Sequence, residues 1–284
     1  MRRRPFLAAV LVPSLLALVL CGTASPLSAA GLVPPTNPKA NIPPAPNYLQ
    51  SGACAPITGG WSCPNPCVTS QIVFPPYSNT AACSAYVLLA INAARKAEKV
   101  RAMVLPTNWI HLTASQQLFV IADLERVDRG LPPYLGLNRY LTAEAQKAAT
   151  TSSDPTTAPG FAVGNDPQHY VGFGSTWASA YTTLGADYFW MYSDGWGGSA
   201  SATANYGCTS AKSTACWDHR DELLGYDPGY NPGVGLGCRT CEMGTGFAIV
   251  SGRSSLTDLV ELPKGAPPAM TFTWAKNVAP YLPK

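Results

Sequence analysis

Apolar positions recur at helical spacing in two long stretches of the chain and predict two helices. Residues 81–100 are rich in Ala and Leu, with charged side chains gathered towards the end. Thr113 and Gln116 have the spacing of a capping box, in which each side chain accepts a hydrogen bond from the other residue's backbone N–H. The stretch that follows carries an apolar stripe of Leu118, Ile121, Ala122 and Leu124. We therefore expect a second helix to begin at Thr113 and to stop at Gly130.

Shorter patterns predict the remaining elements. Thr142 can cap a helix that extends to Ala149, and residues 182–193 and 217–224 read as two further helices. β-branched and aromatic content predicts strands over residues 234–238, 246–251 and 270–274. Because helices come first in the chain and strands follow, the pattern predicts an α+β layer fold.

The N-terminus has the three parts of a Sec-type signal peptide. Residues 2–4 are all Arg, an apolar run covers residues 6–20, and small residues end at Ala30. The alternative, a transmembrane anchor, is disfavoured because the run is short and contains Pro13. We expect cleavage near Ala30, no membrane span afterwards, and a secreted chain that is extracellular or associated with the cell wall.

The net charge of the chain argues against strongly anionic partners. The 284 residues carry a formal charge of +3, and 12% of them are charged. All three arginines of residues 2–4 lie in the predicted signal peptide, so the rest of the chain holds 16 basic and 16 acidic groups. A chain of zero net charge has no electrostatic footprint for nucleic acid or an anionic membrane.

The cysteine count predicts a disulfide framework. Of nine cysteines, Cys21 lies in the signal peptide, which leaves Cys54, Cys63, Cys67, Cys83, Cys208, Cys216, Cys238 and Cys241. An even number in an exported chain indicates four disulfides, and Cys208 with Cys216 is the best local pair. The alternative is zinc held by Cys63-x3-Cys67 and Cys238-x2-Cys241, which an oxidising compartment disfavours.

Proline dominates the segment that follows the signal peptide. Residues 31–80 contain eleven prolines and one charged residue, Lys39. Proline fixes φ and removes a backbone donor, so the first part of this segment is predicted to be an extended, poorly folded arm. Residues 54–83 are predicted to form a loop-rich patch held by disulfides.

Common catalytic motifs are absent from the sequence. There is no Gly-x-Ser-x-Gly elbow, no His-Glu-x-x-His helix and no Walker loop. The three histidines are His111, His169 and His219. His111 lies beside Trp109 in a predicted loop, and we expect it to be structural.

Five segments in consistent order resemble one family. Residues 124–137, Leu-Glu-Arg-Val-Asp-Arg-Gly-Leu-Pro-Pro-Tyr-Leu-Gly-Leu, resemble the opening of a CAP domain, the SCP-like fold of cysteine-rich secretory, antigen 5 and pathogenesis-related proteins. Segments at residues 169–178, 190–194, 216–220 and 234–251 resemble later motifs of this family. The resemblance covers residues 113–252, and within the family the motifs look most like those of secreted bacterial members.

The resemblance implies a domain organisation and an architecture. It implies a three-layer α-β-α sandwich of CAP type that carries a Pro-rich, disulfide-stapled N-terminal extension. We expect a signal peptide (1–30), a Pro-rich, Cys-containing extension (31–80), an additional helical segment (81–112), a CAP-like domain (113–275) and a C-terminal tail (276–284).

The resemblance also implies a central cleft lined by two histidines and two acids, which bind zinc or another divalent ion in some members. Carried over by motif, the histidines are His169 and His219. Ser175 stands where the family has Glu, and Asp194 falls one residue beyond the family's second acid. Because Ser175 lacks a carboxylate, we expect weak divalent binding at most. Glu222 is either a substitute acid or a solvated surface charge.

Three functions follow as hypotheses. The first is an extracellular binding or interaction module for a lipid, a sterol or a glycan. The aromatic residues between Trp177 and Trp196 either line its groove or form core. The second is a metal-assisted extracellular hydrolase that uses His169 and His219. The third is a cell-wall structural protein with the Pro-rich arm as a tether. No catalytic residue is assigned by the resemblance.

Overall fold

The computed structural model describes residues 36–49, 55–68, 77–155, 170–198, 204–225, 240–263 and 269–284, all within one unit that spans residues 32–284. The predicted signal peptide and the strand predicted over residues 234–238 lie outside the described residues. So do Cys54, His169 and Cys238.

The described chain contains seven strands and five α-helices. The strands are β1 (Ala55–Ile57), β2 (Gly60–Ser62), β3 (Leu137–Asn138), β4 (Tyr170–Ala178), β5 (Glu242–Val250), β6 (Arg253–Pro263) and β7 (Met270–Phe272). The α-helices are α1 (Ala81–Ala97), α2 (Ala114–Val127), α3 (Arg139–Thr151), α4 (Thr183–Tyr192) and α5 (Asp218–Leu224). None of the described helices combines the length and the apolar character needed to cross a bilayer.

The sheet is mixed and has the order β4-β6-β5-β3-β7. β5 and β6 form its long antiparallel hairpin, in which Ser251 and Gly252 make the turn with φ of 52° and 79°. Both turn residues therefore have the left-handed conformation that suits a tight hairpin. β4 lies antiparallel to β6 at one edge, whereas β3 runs parallel to β5. Helices and a five-stranded sheet confirm the predicted α+β class.

Helix α3 lies directly against one face of the sheet. A Cβ placed on Gly244 would collide with the backbone of Leu141, and one placed on Gly246 would collide with the backbone of Ala145. Thr257 Oγ1 on β6 donates a hydrogen bond of 2.7 Å to the Ala145 carbonyl. The two glycines therefore permit a helix-to-sheet approach that a larger residue would prevent.

The opposite face of the sheet carries the main core. Because side chains alternate along a strand, Met243, Leu256 and Val260 point away from α3 and join a large apolar cluster with α1, α2 and α4. Trp190 and Tyr188 on α4 are among its fully buried side chains. The segment predicted as additional, residues 81–112, shares this core through Val87 and Ile91.

The helix starts follow capping chemistry. Thr113 and Gln116 form the predicted capping box, which confirms the start of α2. Thr182 caps α4 by accepting a hydrogen bond of 2.9 Å from the Gly185 N–H. The predicted cap at Thr142 is wrong. α3 begins one turn earlier, because the Asn138 side chain accepts a hydrogen bond of 2.8 Å from the Tyr140 N–H.

The proline-rich arm is ordered where the structure describes it, so the prediction of a poorly folded arm is wrong for residues 36–49. Its backbone bonds to the α4 region through Ile42 N–H, which donates to the Tyr192 carbonyl at 2.8 Å. Tyr48 is fully buried, and its hydroxyl donates to the Gly185 carbonyl. Proline removes donors, but other polar groups of the arm find partners on α4, on the segment that follows it and on α5.

Disulfides hold the described cysteines. Cys208 pairs with Cys216, as predicted, and Cys67 pairs with Cys83, which ties the extension to α1. Cys63 and Cys241 are also disulfide-bonded. The zinc alternative is therefore wrong, because three of its four thiolates are consumed in disulfides.

Several ionisable side chains are buried, and two groups of them bear on stability. Between α1 and α2, Arg95 and Glu125 form an ion pair of 2.7 Å in which both side chains have no exposed surface. On β6, Asp258 and Glu261 are 2% and 1% exposed, and none of their carboxyl oxygens has a hydrogen-bond partner among the residues that the structure describes. Burial raises the pKa of Glu261 to about 9, with a further contribution from Glu242 directly opposite on β5. The Glu261 carboxyl is therefore protonated in the fold at neutral pH, and burial raises the pKa of Asp258 in the same direction.

Candidate functional site

A cavity of about 300 Å³ opens beside the edge strand β4. Its wall combines the end of β4, the end of α4, the start of α5 and the loop around Tyr206. Polar and aromatic side chains both contribute to the lining, among them Asp154, Trp177, Phe189, Asp194, Tyr206 and His219.

His219 and Asp194 form a hydrogen-bonded pair in the wall of this cavity. Nδ1 of His219 lies 2.7 Å from Oδ1 of Asp194. The Asp194 side chain is 1% exposed, whereas that of His219 is 22% exposed. An imidazole held at Nδ1 by a carboxylate has a fixed ring orientation, and its Nε2 remains available to a ligand or a proton.

The chain between α4 and α5 fixes this geometry. Asp194 follows the end of α4, and its carbonyl accepts a hydrogen bond of 3.1 Å from the Trp217 N–H. Its Oδ2 accepts another, of 3.3 Å, from the backbone N–H of Arg220 in the first turn of α5. Trp217 itself has a φ of 73°, and its indole ring lies where a side chain on Gly195 would be. Asp194 is therefore held by three contacts to the α5 region.

Neighbouring acids favour the charged imidazole. Burial alone would lower the pKa of His219, but the hydrogen bond and charge of Asp194 outweigh it and raise the pKa above the ordinary 6.5. Asp154 and Asp218 add smaller contributions in the same direction. The neighbouring acids therefore shift the equilibrium of His219 towards its protonated form relative to an imidazole in water.

Three lining residues come from places that the sequence analysis did not single out. Asp154 follows α3 and accepts a hydrogen bond from the Trp177 backbone N–H. Asn205 and Tyr206 lie directly before the loop that the Cys208–Cys216 disulfide closes. Asn205 ties that loop together, since its side chain accepts from the Gly207 N–H at 2.9 Å and donates to the Ala215 carbonyl. In the sequence, the predicted Cys208–Cys216 pair was the feature that could have indicated an ordered loop here.

The four residues predicted to line the cleft have different places in the structure. Asp194 and His219 are brought together. Ser175 is not part of the cavity lining, and it pairs with Leu259 on the sheet face that α3 covers. His169 lies outside the described residues. His111 is exposed in the short 3₁₀ turn Trp109–His111 and does not line the cavity.

Glu222 reaches the strand position that lacks a carboxylate. Its side chain lies over Gly174, and its carboxyl accepts a hydrogen bond from the backbone N–H of Ser175. Oε2 is buried and has no hydrogen-bond partner within the described ranges. Burial raises the pKa of Glu222 well above 4.5, and Asp194 contributes to the rise. The structure is thus inconsistent with a solvated surface charge.

The described residues do not by themselves build a metal centre. Within the described ranges, no group of three or more His, Cys, Asp or Glu side chains is placed to hold an ion. His219 would supply one nitrogen through Nε2, whereas catalytic and structural zinc sites use three or four protein ligands.

Comparison with known proteins gives little further information. No family model matches the sequence, and no curated protein matches it. Among solved structures, the chain is similar to venom allergen-like protein 4 of Schistosoma mansoni, with 15% sequence identity and a TM-score of 0.33. The match covers 57% of this chain and 97% of that one. A similarity at this level does not establish the family.

Proposed function

We propose that this chain is a secreted, CAP-type (SCP-like) binding module of bacteria whose cavity at His219 takes up a small extracellular ligand. The proposal includes the predicted signal peptide and the three-layer arrangement of the CAP fold. Helices on both faces of the sheet, the order of the sequence motifs and the disulfides support it. The observation that carries it is the His219–Asp194 pair at 2.7 Å in a cavity of about 300 Å³.

The NMR signals of the histidine side chains allow this proposal to be tested. The protein is purified from the culture supernatant of producing cells and titrated with the fraction of that supernatant below 1 kDa, a mass limit of the order of a drug-sized ligand. NMR signals of the imidazoles are recorded throughout. We expect the His219 signal to shift and that of exposed His111 to stay. The His219→Ala variant should lose the interaction, and a saturating titration that leaves the His219 signal unmoved would contradict the proposal.

A metal-assisted hydrolase is the second candidate. It is favoured by the orientation of the His219 imidazole, because a base aligned by a carboxylate is common in hydrolytic sites. A divalent ion there would also need His169. Hydrolysis of a chromogenic ester with and without zinc, compared between the wild type and His219→Ala, tests this candidate. Zinc-dependent turnover that is lost in the variant would support it.

The cell-wall tether hypothesis receives less support. Residues 36–49 pack on α4 and are hydrogen-bonded to it. A segment held against its own fold is not available as a flexible tether. The proposal therefore assigns the arm a structural role.

A further inference from the structure

We infer that the cavity binds one ring of a neutral glycan, and not a lipid or a sterol. This inference rests on the proposed function of the cavity as a ligand site. Four properties of the lining support it: its polar groups, its charge, its exposed aromatic ring and its size.

The polar groups require a ligand that can form hydrogen bonds. His219, Asp154 and Ser179 all belong to the lining, and each has a polar side chain. An acyl chain or a sterol would remove these groups from water without replacing their hydrogen bonds, which is unfavourable. Ring hydroxyls both donate and accept, so they can satisfy an imidazole and a carboxylate together.

The charge of the lining disfavours anionic ligands. Asp154 and Asp194 face a single imidazole, and Asp218 lies close enough to raise the pKa of His219 further. A fatty-acid carboxylate or an acidic sugar would be repelled by these aspartates. A neutral hydroxylated ring meets no such repulsion.

An exposed aromatic ring lies at the rim of the cavity. Tyr206 is 88% exposed, although large apolar surfaces are usually buried. Tyr206 lies two residues before Cys208, and the neighbouring Asn205 fixes this segment by accepting a hydrogen bond from the Gly207 N–H and donating one to the Ala215 carbonyl inside the Cys208–Cys216 loop. An exposed aromatic ring on a segment held in this way, beside hydrogen-bonding groups, offers a flat apolar surface to a ligand. The C–H face of a sugar ring can cover such a surface, while the tyrosine hydroxyl stays hydrated.

The size of the cavity limits the ligand. A volume of about 300 Å³ lies at the small end of ligand pockets. One sugar ring suits this volume, whereas the four fused rings of a sterol require a longer site. The remainder of a glycan chain would extend past Tyr206 into solvent.

The experiment screens the purified mature protein against an array of neutral glycans, acidic glycans, palmitate and cholesterol. Hits are quantified by calorimetry. We expect a neutral glycan to bind, Tyr206→Ala and Asp154→Asn to weaken its affinity by about tenfold each, and Tyr206→Phe to retain it. Tyr281→Ala is the matched control, because Tyr281 is also exposed but does not line the cavity.

The outcomes separate the inference from the proposal on which it rests. Binding of palmitate, cholesterol or an acidic glycan that depends on Tyr206 and Asp154, with no neutral glycan bound, overturns the glycan inference and leaves the ligand site intact. If no array member binds and the His219 signal also stays unmoved in the supernatant titration, both fail. Neutral glycan binding that is insensitive to Tyr206→Ala places the ligand elsewhere and overturns the inference.

Discussion

The side chain of Asn41 accepts a hydrogen bond of 2.7 Å from the backbone N–H of Gly195, the residue that directly follows Asp194. The proline-rich arm thus touches the segment that carries the acid of the His219 pair. A second contact joins the Asn37 amide to the Asp221 carboxyl on α5, at 3.1 Å. Residues that precede α1 therefore contact both segments that carry the pair: Asn41 contacts the segment of Asp194, and Asn37 contacts helix α5, which carries His219.

Replacing Asn41 tests this support. Asn41→Ala leaves a buried N–H of Gly195 without its acceptor, so we expect the free energy of unfolding to fall by about 1–3 kcal/mol. Urea denaturation measures the change. Asn47→Ala is the control, because Asn47 is exposed in the same arm and only accepts a local bond from Leu49. Equal effects of the two substitutions would contradict a specific role for Asn41.

The pKa of His219 should depend on Asp194. In Asp194→Asn the imidazole loses its charged partner while its burial remains, so we expect its pKa to fall below the wild-type value. A raised histidine pKa stabilises the fold fully below the ordinary value of 6.5, and this contribution is lost as pH rises through the folded pKa. The stability difference between wild type and variant should therefore narrow from pH 6 to higher pH. NMR titration measures the His219 pKa, and urea denaturation measures the stability difference. An unchanged His219 pKa in Asp194→Asn would refute the prediction.

Removal of Glu125 should have a large effect on stability. Its carboxylate is bonded to Arg95, to Arg129 and to the Tyr192 hydroxyl. Glu125→Ala removes the buried carboxylate that Arg95 and Arg129 share and leaves them only Asp128 and Glu98 as acidic partners within the described chain. Because one member of a buried ion pair is deleted, we expect a loss of about 3–5 kcal/mol in the free energy of unfolding. Glu144→Ala on α3 is the control, since Glu144 forms no salt bridge among the described residues. If Glu125→Ala lowered the free energy of unfolding by less than Glu144→Ala does, the stabilising role of the Glu125 contacts would be contradicted.

The same carboxylate predicts an acid transition. Burial alone would raise the pKa of Glu125, but Arg129 and Arg95 outweigh it and hold the value at about 2. The stabilisation is therefore complete above pH 4.5 and is lost as pH falls towards 2. The gap in stability between wild type and Glu125→Gln should shrink over this window in acid titrations followed by circular dichroism.

The disulfides should contribute unequally. Loop-closure entropy assigns about 3 kcal/mol to Cys67–Cys83, with a separation of 16 residues, and about 2.5 kcal/mol to Cys208–Cys216, with a separation of 8. Paired Cys→Ser variants and urea denaturation test the values. Thiol titration of the denatured, unreduced chain should find no free thiol, and two reactive thiols per chain would contradict four disulfides.

Local chemistry explains why helices could be predicted from the sequence, whereas the long strands β4 and β6 could not. Thr113 with Gln116, and Thr182 before α4, are signals contained within a few residues. β6 was missed because Asp258 and Glu261 stand at buried positions and break the apolar pattern of a strand. Only tertiary packing, which removes these acids from water, makes that segment a strand.

The cavity was predictable only in part. Asp194 and His219 belong to motifs of the resembled family, and the structure brings them together. Asp154 and Tyr206 were missed because they reach the cavity from loops that are distant in sequence. No spacing rule relates such residues, since their meeting depends on how the helices and the sheet pack.

The buried Glu261 carboxyl of β6 couples folding to proton uptake from the buffer. Glu261 keeps its proton up to a pKa of about 9, whereas the unfolded chain releases it near 4.5. Refolding at pH 7 must therefore take up protons from solution, and the folded chain is more cationic than its composition indicates. Calorimetric refolding in buffers of different ionisation enthalpy should return different apparent heats, and Glu261→Gln should reduce that difference. The same uptake means that stability declines as pH rises from about 4.5 towards 9, a direction opposite to that set by Glu125.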